Sequence, residues 1–388
     1  MAVKAGFIGT AKPEKETVRV GFLPLTDCAP LVMASVLGFD EKYGIKIVMS
    51  REHSWSGMRD RLTSGSLDAG HALYGMMYGV QMGIGGGAHN MAVLMNMSQN
   101  GQAITLSRVL AQAGAVDGPG LARVMKEQPR RYTFAQTFPT GNHAMWLNYW
   151  LAASHIDPLR DCTMVTVPPS QMAANLGAGH MDGFCAGEPW GERAAADRFG
   201  VTVATSQQIW RDHPGKVLGA SAAFVDECPN TARALVAALL EACRWIDTSL
   251  TNRQATTEVI ASPAFVNAGR EVIEPRLLGF YDNGFGKRWK DAHCLRFHAH
   301  GAANYPYLSD GMWFMTQHRR WGLLKSDPDY LAVATEVNRI DLYREAAEMA
   351  SVASPRATLR SSTLMDGKVW DGTDPAAYAA SFAISALA

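Results

Sequence analysis

Strand and helix signals alternate from residue 18 onward, and few architectures accommodate that order. Residues 18–23 read as a buried strand, 29–37 as a helix stopped by Gly38, 45–49 as a strand, 57–63 as a helix stopped by Gly65, and 69–73 as a strand. Such a strand–helix–strand–helix–strand run predicts a parallel sheet covered on both faces by helices.

The pattern returns at a constant offset of 114 residues. Ser56, Met58, Leu62, Gly65 and Asp68 stand against Ser170, Met172, Leu176, Gly179 and Asp182, and Thr26 stands against Thr140. Two similar α/β lobes follow from this. The chain's 388 residues are too many for one ordinary core and enough for two. The expected organisation is a flexible lead-in over 1–16, a discontinuous first lobe from 17–128 and 222–388, and a second lobe over 129–221. Ligands of such sheets bind beyond the carboxyl ends of the strands. Facing lobes therefore put the site in the cleft between them.

Composition narrows what that cleft serves. Lys plus Arg and Asp plus Glu both number 36, so no charge excess points to nucleic acid or to a basic partner. No apolar run reaches the roughly 18 residues of a membrane span. The first residues show no secretory apolar core or small-residue cleavage site. Six scattered cysteines without a C-x-x-C pair suit reduced thiols better than a disulfide frame. A cytoplasmic protein is the expectation.

The loops after strands hold the candidate chemistry. Pro24-Leu25-Thr26-Asp27 follows the first strand, and Ser54-Trp55-Ser56-Gly57 follows the second. Thr140, Gly141, Asn142 and His143 open a helix whose Trp146, Tyr149 and Trp150 are spaced i, i+3, i+4. A helix start with free N–H groups suits an anion, although a capped helix and a packed histidine read equally well. Lys216 reads as a surface charge or as a counter-ion. Trp55 reads as half-buried core or as a stacking wall, and Gln102 as an edge cap or as a donor. Cys185 beside Glu188 has no spacing that supports a nucleophile. His293, Cys294, His298 and His300 form H-C-x-x-x-H-x-H, either a metal set or a polar loop. The glycines of 83–87 lack the Lys-Ser/Thr of a phosphate loop. No acid–base pair asks for catalysis, so no enzyme is expected.

Several stretches jointly resemble the nitrate-binding proteins of bacterial nitrate and bicarbonate uptake, which have the type II periplasmic-binding-protein fold. They are Val20-Gly21-Phe22-Leu23-Pro24-Leu25-Thr26-Asp27, Ser54-Trp55 with Arg59-Asp60, Asn100-Gly101-Gln102-Ala103-Ile104, and Phe138-Pro139 with Gly141-Asn142-His143. Gly187-Glu188-Pro189-Trp190, Gly215-Lys216, Asn304-Tyr305-Pro306-Tyr307 and Asp366-Gly367-Lys368-Val369 complete the set. The resemblance implies an α/β fold of two lobes with the ligand between them. It implies nitrate or nitrite contacts at Trp55, Gln102, His143 and Lys216, with Gly57 adding a backbone donor. Bicarbonate-binding relatives carry a carboxylate near the lysine position and use calcium, so Lys216 implies neither metal nor other cofactor. An N-terminus without a visible signal resembles the cytosolic branch, the NasS-type nitrate/nitrite sensors. That branch implies a partner, an RNA-binding antiterminator of the NasT type, held when no anion is present, with no direct contact to nucleic acid or membrane. The alternative is the exported binding subunit of a nitrate ABC transporter.

Overall fold

The computed structural model describes residues 11–387. Ten strands form two five-stranded sheets. They are β1 (Thr17–Phe22), β2 (Lys46–Arg51), β3 (Ala69–Leu73), β4 (Met91–Asn96), β5 (Gln102–Ser107), β6 (Tyr132–Gln136), β7 (Cys162–Thr166), β8 (Gly183–Gly187), β9 (Gly200–Thr205) and β10 (Lys216–Ser221). The first sheet has the order β2-β1-β3-β10-β4 and the second β7-β6-β8-β5-β9. All residues of β3, β4 and β8 are buried, as in sheets covered on both faces.

The internal repeat is visible in three dimensions. β3 and β8 begin and end at the same offset of 114. Ahead of each, a glycine with left-handed φ stops the preceding helix: Gly65 at 71° and Gly179 at 76°. Asp68 accepts the main-chain N–H of Arg19 at 2.7 Å, and Asp182 accepts that of Thr133 at 2.8 Å. The matched aspartates thus do the same work, tying the third strand of each lobe to its first.

Three expectations are corrected. The sheets are mixed rather than parallel: β10 runs antiparallel to β3 and β4, and β5 antiparallel to β8 and β9. The lobes also exchange strands. β5 belongs to the second sheet and β10 to the first, so the chain crosses between β4 and β5, well before residue 128, and again between β9 and β10, a few residues before 221. An apolar strand pattern reports burial but not which of two sheets buries it. Residues 11–16 of the expected flexible lead-in are docked, while 1–10 lie outside the described residues. The Glu14 carboxylate accepts the N–H of Thr231 at 2.8 Å, on the first turn of the helix Pro229–Thr248. Lys15 Nζ reaches Asp68 at 2.7 Å.

The last third of the chain serves both lobes rather than the first alone. The helix Arg270–Leu277 sends the buried Arg276 guanidinium into the second lobe, between Glu188 and Glu192, with Thr202 Oγ1 accepting at 2.7 Å. The helix Leu308–Arg320 packs on Tyr74–Gln81 of the first lobe and on Asn142–Ala153 of the second. There Trp313 meets Trp146 with ring centroids 4.8 Å apart, and His318 Nε2–H donates to Thr140 O at 2.8 Å. The lobes approach closely where the Thr140 turn sits on Tyr74–Gln81. A Cβ at Gly75 would strike Thr140 O, and one at Gly79 would lie 2.5 Å from Thr140 Oγ1. Those two glycines, four apart on one helix face, are what the contact requires.

All six cysteines are free and buried. Burial raises the thiols of Cys28, Cys185 and Cys243, and pushes Cys162 up to about 12. Thiolate is the reactive form. Titration of the native protein with an aromatic disulfide is therefore expected to register less than one thiol, and all six only after unfolding. Rapid native labelling of several thiols would contradict these positions.

Candidate functional site

Every candidate site residue lies at a strand end or a helix start facing the other lobe. Trp55 opens the helix Trp55–Thr63 of the first lobe, and Lys216 begins β10 beside it. Gln102 begins β5, and His143 lies on the first turn of the helix Asn142–Ala153, both in the second lobe. All four side chains are essentially unexposed.

Gly187 at the end of β8 shows that they meet. A Cβ placed there would lie 3.4 Å from Lys216 Nζ and 3.6 Å from His143 Nε2. Gln102 is the register partner of Gly187 across the antiparallel pair, so its side chain leaves the sheet on that same face. Lys216 Nζ lies 5.8 Å from the centroid of the Trp55 ring, within cation–π range. Ammonium, imidazole, amide and indole thus surround one spot between the lobes. Open hollows also lie elsewhere on the molecule, such as one of about 490 Å³ beside Arg244 and Arg253.

The donors at this spot are unspent. Trp55 Nε1, His143 Nε2 and both polar atoms of the Gln102 amide are buried without a hydrogen-bond partner among the described residues. Buried polar groups rarely stay unpaired, so four together mark a place built for a guest with acceptor atoms. Thr137 Oγ1 and His143 Nδ1 share a hydrogen bond; when the hydroxyl is the donor, the proton of a neutral ring sits on Nε2 and faces the spot. The ring is neutral because burial, and then the Lys216 charge, hold it well below the ordinary histidine range.

Sequence reasoning missed the partner of Lys216. Its Nζ lies 2.7 Å from Asp27 Oδ2, with both side chains inaccessible. The other carboxylate oxygen accepts Nε2–H of His71 at 2.8 Å. Burial alone would raise the Asp27 pKa; the Lys216 charge and the His71 hydrogen bond outweigh it and hold the carboxyl far below the usual range. Burial likewise keeps His71 neutral against the pull of Asp27. Asp27 sits in the loop after β1 where a ligand residue was sought, but nothing in the sequence pairs it with a lysine 189 positions away.

Gly57 is also corrected. Its N–H donates to Ser54 Oγ at 3.1 Å as the cap of the helix Trp55–Thr63, so it is not a free donor. The histidines of the H-C-x-x-x-H-x-H stretch take separate partners, His293 with Asp212 at 2.9 Å and His298 with Asn304 at 3.0 Å. Among the described residues no group of three or more His, Cys, Asp or Glu is placed to hold a metal ion.

Comparison with known proteins adds a second kind of observation. Residues 11–261 match the NMT1-like family. The nitrate/nitrite binding protein NrtA of Synechocystis sp. is 35% identical, over 98% of this chain and 87% of that protein. The nitrate import ATP-binding protein NrtC of the same organism is 37% identical over 96% of this chain, which spans only 56% of NrtC. The crystal structure of the periplasmic nitrate-binding protein NrtA from Synechocystis PCC 6803 superposes with a TM-score of 0.91 at 34% identity, covering 96% of this chain and all of that one. NrtA is thus a binding protein, and NrtC an ATP-binding protein of nitrate import.

Proposed function

The chain belongs to the NMT1-like family, in the group of the nitrate/nitrite binding proteins, and from that premise we propose that its interlobe site binds nitrate or nitrite. The observation that carries this reading is the ring of unspent donors around one ammonium: Trp55 Nε1, Gln102 Nε2 and His143 Nε2 about Lys216. Nitrate is flat, singly charged and acceptor-only. The indole offers a face or an N–H, the amide and imidazole donate, and the ammonium supplies charge at a position shielded from bulk solvent. Both oxyanions present the same acceptors to these donors.

Calorimetric titration with nitrate, nitrite and bicarbonate tests the reading. Nitrate and nitrite bind, and a chelator leaves binding unchanged. Gln102→Ala and His143→Ala each weaken it by about 10- to 100-fold, the worth of a hydrogen bond to a charged group, roughly 1.5–3 kcal/mol. Calcium-dependent bicarbonate binding with no response to nitrate would sink it.

The biological role proposed first is delivery to an ABC-type importer, because one relative, NrtC, is a nitrate import ATP-binding protein and another, NrtA, is a periplasmic nitrate-binding protein. The expected cytosolic sensor that holds an antiterminator stands second, supported by one observation: six unpaired cysteines suit a reducing compartment. The two roles part on a gel-filtration column. A sensor co-elutes with the antiterminator and releases it when nitrate is added, since linkage makes anion and regulator weaken each other equally. Import predicts no such complex and a nitrate-dependent stimulation of the transporter's ATPase.

A further inference from the structure

The cation of the site carries a charge that is already matched. Lys216 and Asp27 are 2.7 Å apart and fully enclosed. The imidazoles around them, His71 and His143, are neutral, each desolvated by burial. Glu188, next along the chain from Gly187, is turned to Arg276. The fixed charges facing the ligand position thus amount to one positive and one negative.

A lone lysine in a dry cleft would hold a dianion more strongly than a monoanion, because Coulomb energy scales with the product of the charges. Asp27 cancels that advantage. A monoanion is then held by directed donors in a nearly neutral surround. A dianion would bring a second charge with no counter-ion, and enclosing an unmatched charge is costly. We propose that Asp27 is a specificity-determining residue that restricts the cleft to singly charged anions. The inference rests on the anion-binding reading above and adds which residue sets the ligand's charge.

Chlorate and sulfite separate charge from shape. They are isoelectronic pyramidal trioxoanions, one singly charged and the other doubly charged at a pH where sulfite is fully ionised. Nitrate binding to the wild-type protein is measured first by calorimetry; its absence would defeat the anion-binding reading itself. Each competitor is then titrated against bound nitrate. Chlorate is expected to displace nitrate at least about tenfold better than sulfite in the wild type, about 1.4 kcal/mol. In Asp27→Asn, which keeps the side chain's size and one oxygen toward Lys216, sulfite is expected to gain at least about tenfold relative to chlorate. Equal competition in the wild type, or an unchanged ratio in a folded Asp27→Asn, overturns the proposal. The wild-type comparison needs no variant and stands if Asp27→Asn does not fold.

Discussion

Replacing Lys216 by alanine is expected to destabilise the fold by about 3–5 kcal/mol and to abolish anion binding. The first effect is the less obvious. Nothing in the sequence gives Lys216 a structural duty whose loss the fold would feel. In the structure its ammonium is the only charge 2.7 Å from an inaccessible carboxylate in the described network of Asp27, His71 and Lys216. Removing it leaves Asp27 ionised against His71 alone, or forces it to take up a proton. Deleting both charges is a different matter, because a buried pair replaced by apolar groups of similar volume is often neutral in stability. Lys216→Met combined with Asp27→Leu is therefore expected to recover most of the loss without recovering binding. Urea unfolding in nitrate-free buffer measures all three states. Equal midpoints for the wild type and Lys216→Ala would mean that the pair contributes nothing.

Lowering the pH from 7 to 5 is expected to cost about 3–4 kcal/mol of stability through two histidines alone. Burial holds His213 down at about 3 and His318 down at about 4. His213 Nδ1–H donates to Pro214 O at 2.8 Å while Nε2 accepts from Ser206 Oγ–H at 2.7 Å. His318 donates to Thr140 O. In the unfolded chain both rings take up a proton near the ordinary value of about 6.5. Between that value and the folded ones, the unfolded state binds more protons, so stability falls as the pH falls. His71 and His143 shift in the same direction and steepen the slope. Denaturant midpoints at stepped pH in nitrate-free buffer read this directly, and His318→Gln should flatten the curve. A stability profile level from pH 7 to 5 would contradict neutral buried rings.

The repeat was legible because its residues have duties that only certain side chains perform. Gly65 and Gly179 supply left-handed turns, and Asp68 and Asp182 tie strands to strands. The strand exchange was not legible, since β5 and β10 carry the same apolar pattern whichever sheet receives them. The four ligand candidates were ambiguous one by one; only their joint likeness to a family singled them out, and the structure then brings them to one spot. Gly57 was misjudged because its N–H looks free until Ser54 is seen to cap the helix. Asp27 was missed because a charge pair leaves no trace in spacing when its members come from distant parts of the chain.

The exchange of strands has a consequence for how the polypeptide is made. As the chain leaves the ribosome, β1 to β4 emerge first, but their sheet lacks its fourth member until β10 follows the whole second lobe. The second sheet has its borrowed strand in hand early, yet Trp146 waits for Trp313, and Glu188 waits for Arg276. No nascent fragment that ends at a lobe boundary holds a finished core, so unsatisfied apolar surface persists until the last helices arrive, the stage at which chaperones matter most. Once complete, the two lobes are bound together by exchanged strands and a common set of helices.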